Sequence, residues 1–439
     1  MSFTSVRPGA SEGGPSRWSD VGLAVAARAV SSCGDFLAAT ALLLTLQSRG
    51  AGGYAVAALL LSAALPPVLL VRWTGRLADR VDSRLLLIAT GLAQAAICAA
   101  MAFTTGTAVL IGLAALLSCG FAVTQPVLGA LLPAMVRRED LVRVGALGQT
   151  ATSVGMLVAP ALAGLLTGAF GVRVPLFVDA ASYLALVVGA VLIRTRRGGA
   201  RTVAAERAAD PASPGPVWRL RADPLLFTMT VMVAAAVAAV SAVNVADVFL
   251  VRVVLHSTAT MYGLLTAVWT GATMIGGWLL ARRNRGDAGI SVAMLGALGL
   301  VCAAVLAMGL APGLSWLVPV FLVGGIGNGV LNVAAGALLS RRTPAHARGR
   351  ASARLGAVMN AASALGFLLG GVLLDVLPVR ATVAAAGVFG LVVTGAAAVP
   401  MLRAAARERA TAAPDRQPAA ATPDEPGAVP GLAELQPAA

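Results

Sequence analysis

Inside the apolar runs of this 439-residue chain the acids are Asp35, Asp179, Asp247 and Asp375. A carboxylate held away from water is costly to keep charged, so it becomes a natural place to take up and release a proton. At 1.5 Å per residue, Asp35 lies about 21 Å along its run, near the middle of a bilayer-sized segment, whereas Asp179 lies only about 7 Å from the near edge of its own. Asp35 is therefore the leading proton carrier. Asp179 reads first as a structural hydrogen-bonding group and second as a coupling group. Asp247 and Asp375 fall close to the ends of their runs.

Arg28 precedes Asp35 by seven residues and shares its helix face. It either pairs with Asp35 in one conformational state, attracts an anionic group, or snorkels to the membrane surface. The other polar candidates for a solute cavity are uncharged: Gln125, Gln149, Asn244, Asn328, Asn332 and Asn360. Each also has the ordinary alternative of bonding a neighbouring helix. So few charges suit a lipophilic or amphipathic solute, since a sugar or phosphate site needs more polar and basic groups. No Gly-rich phosphate loop of the G-x-x-x-x-G-K-[ST] type occurs, so the expected energy source is a proton gradient and not ATP, with no cofactor. Cys33, Cys98, Cys119 and Cys302 are isolated, and His256 and His346 have no neighbouring ligands, so neither a disulfide framework nor a metal site is expected. Paired acids with a nucleophile are missing too, and no enzyme is implied.

The elements that must carry these residues are apolar segments long enough to span about 30 Å of hydrocarbon. Val21–Leu46, Ala55–Leu70, Leu85–Phe103, Val109–Leu132 and Val144–Phe170 qualify, and seven more follow. Hydrophobic residues make up 58% of the chain and charged residues 12%, about half the charged share of a soluble domain. The expected fold is all-α, with twelve transmembrane helices in two six-helix bundles. Its parts are an unstructured tail (1–20), a first bundle (21–194), a central tether (195–223), a second bundle (224–402) and an unstructured tail (403–439). All 33 basic residues are Arg. Only Arg49, Arg173, Arg252 and Arg380 fall in loops on one side, so the opposite side, with both termini, is expected in the cytoplasm. The net charge of +14 is spread over many short loops, which argues against nucleic-acid binding. The polar first twenty residues and the long first span do not resemble a cleavable leader.

The two halves repeat. Arg143 and Arg350, Ala163-Gly164 and Gly370-Gly371, and Arg173 and Arg380 are each 207 residues apart. Gly75-Arg76-Leu77-Ala78-Asp79-Arg80 is echoed 202 residues later by Gly277 to Arg282, with the acid lost. Parallel six-helix repeats place a solute path where the halves meet.

With these features the sequence resembles the major facilitator superfamily. The signature loop between spans 2 and 3 reads here Gly75-Arg76-Leu77-Ala78-Asp79-Arg80-Val81-Asp82-Ser83-Arg84, with Asp82 and Ser83 in place of a Gly-Arg pair. Gly75 lets span 2 approach a neighbouring helix closely, Arg80 and Arg84 complete the motif, and the resemblance implies that Asp79 engages span 11, where Arg350 and Arg354 are the candidate partners. In the family that contact stabilises the outward-facing state. The alternative is a loop that only fixes topology. Span 5 carries Gly155, Pro160 and Gly164 in the pattern of the exporter branches, with two glycines replaced by alanine. Ser32-Cys33-Gly34-Asp35, the stretch from Leu132-Pro133 to Arg143, and Arg341-Arg342-Thr343-Pro344 resemble the macrolide- and siderophore-efflux branch of drug:proton antiporters. The helix-4 arginine of some drug antiporters is missing.

The expected function is therefore proton-driven export of a lipophilic or amphipathic small molecule by a monomer in the bacterial inner membrane, with lipid as its other partner. A proton-coupled importer and a non-transporting sensor on the same fold are the alternatives. Asp79→Asn should slow transport while expression and ligand binding stay near normal. Unchanged transport in that variant reduces the loop to a topology signal.

Overall fold

A backbone in hydrocarbon can satisfy its N–H and C=O groups only within its own helix or a closed barrel, and among its described residues this chain takes the first solution twelve times. The computed structural model describes residues 17–195, 223–283, 286–344 and 347–412. The motif positions Gly75 and Asp79 and the candidate partner Arg350 lie outside its described side chains. The helices are α1 (Trp18–Ser48), α2 (Gly53–Arg80), α3 (Ser83–Phe103), α4 (Thr107–Ala134), α5 (Leu141–Phe170) and α6 (Arg173–Leu192). The second set is α7 (Pro224–Phe249), α8 (Ala259–Ala281), α9 (Asp287–Gly309), α10 (Leu314–Arg342), α11 (Arg348–Val376) and α12 (Val379–Ala412). All twelve contain a stretch long and apolar enough to cross a membrane.

Local chemistry sets the ends. Asp82 caps α3, accepting from the amides of Arg84 and Leu85 at 2.9 and 3.2 Å. This accounts for the departure from the loop signature at that position. Asp223 caps α7 in the same way, with Pro224 at the first helical position. It also accepts from Arg342 at 2.8 Å.

Two boundaries differ from the sequence reading. α1 starts at Trp18, inside the expected tail, because Asp20 is buried and accepts from the amide and hydroxyl of Thr195 at 3.0 and 2.8 Å. α12 continues past Leu402 to Ala412, since Ala, Arg and Glu are good helix formers even without an apolar face. The rest of both expected tails and nearly all of the central tether lie outside the described residues.

The repeat seen in sequence is a repeat of contacts. α1 packs on α5 and α6, α3 on α4 and α6, and α2 on α4; in the second half α7 packs on α11 and α12, α9 on α10 and α12, and α8 on α10. The halves are joined mainly by α5 against α8 and α2 against α11, which the repeat makes equivalent.

Those junctions lie toward the end that carries Arg49, Arg173, Arg252 and Arg380. A Cβ on Gly164 would collide with the Ala259 carbonyl, and one on Gly263 with the Pro160 carbonyl. Gly371 lies against Ala57, and Gly53 against Leu374. The same end holds one continuous apolar core drawn from both halves, including Leu44, Val56, Val248 and Tyr262. Toward the arginine-rich end the cores are separate, one per half. There Gly145 of α5 and Gly356 of α11 have nothing within 4 Å of an added Cβ. The structure is sealed at the arginine-poor end and parted at the other.

Gly263→Val should force α5 and α8 apart. A cysteine placed at buried Thr45 should then react with a membrane-impermeant maleimide several-fold faster than in the parent protein, and an unchanged rate would show that the seal does not depend on this approach.

Candidate functional site

α1 is the pivot of the site because both of its neighbours supply polar groups. Its exposed stripe carries Gly22, Ala26 and Val30, and its packed stripe carries Ala24, Ala27, Ser31, Gly34 and Ala38 against α5 and α6. Arg28 and Asp35 project from the packed side, partly buried. The Tyr183 hydroxyl of α6 donates to Asp35 in a short hydrogen bond. One turn away on α6, Asp179 is fully buried and accepts from the Ser182 hydroxyl at 3.1 Å and from the Cys98 thiol of α3 at 3.2 Å. Gly34 lies directly over that carboxylate, where any Cβ would collide with Asp179 and Ser182.

The two acids that the depth reckoning set apart are therefore neighbours inside the first bundle. Helices of unequal length do not share end levels. α1 has 31 residues and α6 has 20, so at 1.5 Å per residue α1 is about 16 Å longer and overruns α6 at its ends. Asp35 also lies within the bundle and not on the exposed stripe of α1. Arg28 does not pair with Asp35; its Nε donates to the Thr152 hydroxyl of α5 at 3.0 Å.

α5 connects this acid pair to the seal. Gly155 sits against the backbone of Ser32 and Cys33, between Arg28 and Asp35 along α1. Pro160 and Gly164, further along α5, meet α8 of the other half. The exporter-like pattern thus marks a helix that is closely packed on both sides, with small residues where backbones approach.

The remaining candidates are not gathered into one cluster of bonds. Gln149, Asn244, Asn332 and Asn360 are exposed, and Gln125 and Asn328 are partly buried. Beside Gln125, it is Thr124 that is engaged, donating toward Gln94 of α3 at 3.2 Å. Arg80 and Arg354 are exposed, and Arg84 donates to the Val191 carbonyl of α6 at 2.6 Å. Asp375 is exposed at the end of α11.

Sequence reading missed Tyr183, Ser182 and Cys98. The signal for the first two was present, because Asp179, Ser182 and Tyr183 are spaced to share a helix face. Cys98 could not be found that way, since it comes from another helix. Asp247, close to the end of its span, accepts from the Tyr262 hydroxyl of α8 at 3.3 Å, so each half holds a partly buried acid bonded by a tyrosine.

A family model described as Major Facilitator Superfamily matches residues 24–306 and 289–431. No curated protein sequence matches the chain. Among solved structures, the nucleoside transporter NupG is similar at 12% identity and TM-score 0.65, covering 86% of this chain and 99% of that one. A POT peptide transporter in complex with alafosfalin is similar at 16% identity and TM-score 0.67, covering 88% and 94%. A bacterial homologue of the iron transporter ferroportin, in an inward-facing state, is similar at 17% identity and TM-score 0.66, covering 89% and 100%. At these identities the likeness is one of fold.

Tyr183→Phe keeps the ring and removes the donor to Asp35. An unpaired buried polar group costs about 1–3 kcal/mol, so the variant should unfold at lower temperature in detergent than the parent. An unchanged midpoint would mean that Asp35 does not depend on this bond.

Proposed function

We propose that this chain, which belongs to the Major Facilitator Superfamily, is a membrane transporter that exports a lipophilic or amphipathic small molecule in exchange for protons. Membership makes it a transporter and not an enzyme; direction, coupling and solute class are our reading. The observation that carries the coupling is the placement of Asp35 and Asp179 side by side within one bundle, bonded by Tyr183, Ser182 and Cys98.

Two adjacent carboxylates in a low-dielectric interior repel each other when both are charged, so gain or loss of one proton changes how tightly α1, α3 and α6 hold together. α1 passes that change to α5 through the tight contact at Gly155, and α5 passes it to α8 through Pro160 and Gly164. A protonation step in one half can thereby bias the contact between halves, which is what alternating access requires. With the arginine-rich loops in the cytoplasm of a bacterial inner membrane, the parted end faces inward and is open to a solute entering from the cell. Exposed Gln149 and Asn360 on α5 and α11, amid largely apolar surface, suit a lipophilic solute that needs few polar contacts. No residue of this path calls for a metal or organic cofactor; the proton gradient is the energy source in this reading.

Asp35→Asn keeps size and hydrogen-bonding capacity but cannot titrate. In everted vesicles energised by respiration, the variant should lose ethidium accumulation while still binding ethidium, and Asp179→Asn should be milder. Full accumulation by Asp35→Asn would remove this residue from coupling.

A further inference from the structure

The sealed end holds a cavity of about 480 Å³ between the halves, formed by the end of α1, the end of α5, the turn after α7 and the start of α8. Its chemistry is one-sided. Arg252 lines it together with Thr45, Ser48, Thr167, Thr258 and Thr260, and no carboxylate is among its described lining residues. Thr45 and Ser48 donate to carbonyls of their own helix. Thr258 instead accepts, from the amide of Met261 at 3.2 Å, so its hydroxyl hydrogen remains for another acceptor. The Thr167 hydroxyl oxygen is buried and has no hydrogen-bond partner among the described residues. The first turn of α8 adds backbone amides at Ala259 and Thr260 that no preceding helical residue can satisfy, at the positive end of its dipole.

Arg252 is held in place for this position. α7 ends in a π-helical turn, Leu250–Val254, and the chain then reverses through His256, whose φ is 49°. The Ser257 carbonyl accepts from Arg252 Nη1 at 2.8 Å, and Gln47 of α1 accepts from Nε at 3.2 Å. The guanidinium keeps Nη2 outside both bonds. Its repeat counterpart behaves differently. Arg49 of the first half donates to Thr105 at 2.8 Å and Thr104 at 3.5 Å, in the turn between α3 and α4. In the second half the matching turn is held by Arg380, which donates to Ala311 at 2.6 Å. That leaves Arg252 free of the task Arg49 performs.

The geometry points to an oxyanion-binding site in this cavity, taking a phosphate, sulfate or carboxylate group against Arg252, Thr167, Thr258 and the start of α8. Because the walls come from both halves, the bound anion stabilises the state sealed at this end. A soluble anion and a lipid headgroup present the same chemistry.

The test is calorimetric titration of inorganic phosphate into the full chain in phosphatidylcholine nanodiscs, at constant ionic strength maintained with gluconate. Saturable binding is expected. Arg252→Gln should weaken it roughly tenfold or more, as loss of a charge-assisted partner does, and Arg252→Lys should restore part of it. Thr167→Val, which keeps shape and removes only the orphan hydroxyl, should weaken it about threefold or more. Doping the discs with phosphatidylglycerol separates the sources: lost phosphate heat assigns the site to a headgroup, unchanged heat to a soluble anion. No saturable binding by the parent protein, or equal binding by both Arg252→Gln and Thr167→Val, overturns the assignment.

Discussion

Asp35, partly buried, and Asp179, fully buried, lie together inside one six-helix bundle. Each is satisfied by a hydroxyl or thiol packed against it, because an unpaired buried polar group is expensive and an unpaired buried charge more so. Tyr183 serves Asp35, and Ser182 with Cys98 serves Asp179. This fixes which faces of α1, α3 and α6 meet and leaves room only for glycine at position 34. The faces of α1 left over meet α5, which in turn reaches the other half. The acid pair thus constrains the packing of the first bundle and, through α5, the junction with the second.

The duplication explains why the junction is built as it is. Each half pairs its helices in the same pattern, so the α5–α8 and α2–α11 contacts are two copies of one solution. Both rely on small residues that let backbones touch, since lipid offers helices no hydrophobic incentive to associate. Such contacts can part and re-form without leaving buried charge exposed. The asymmetry lies elsewhere, in the acids and in the arginines at the sealed end. The first half carries an adjacent acid pair, whereas in the second half Asp247 is bonded by Tyr262 of α8.

Much of this was legible in the sequence. Twelve spans, two halves and the family all follow from apolar run length, the 207-residue spacing and the Gly75–Arg84 loop, since length and repetition survive whatever the packing is. Gly155, Pro160 and Gly164 read in sequence as one close-packing face, whereas in the structure Gly155 meets α1 and Pro160 and Gly164 meet α8 on the other side of α5. What periodicity within single helices could not supply was relative height. Asp35 and Asp179 come together because helices of unequal length slide past each other, a tertiary fact. The same limit hid Cys98, and it left Arg28 with three alternatives when its partner is Thr152 on α5. Arg252 read as a plain loop arginine because its role depends on Arg380 having taken the neighbouring turn.

The central claim is that solute and proton move in opposite directions through one protein whose proton site is the Asp35 and Asp179 pair. It is tested most directly by loading proteoliposomes with ethidium and a pH-sensitive dye, diluting them into dye-free buffer, and recording luminal pH as ethidium leaves. The sign of the change does not depend on how the protein inserts. Antiport predicts that the lumen acidifies in step with ethidium loss. Ethidium loss that leaves luminal pH unchanged, or that makes the lumen alkaline as symport would, contradicts the account.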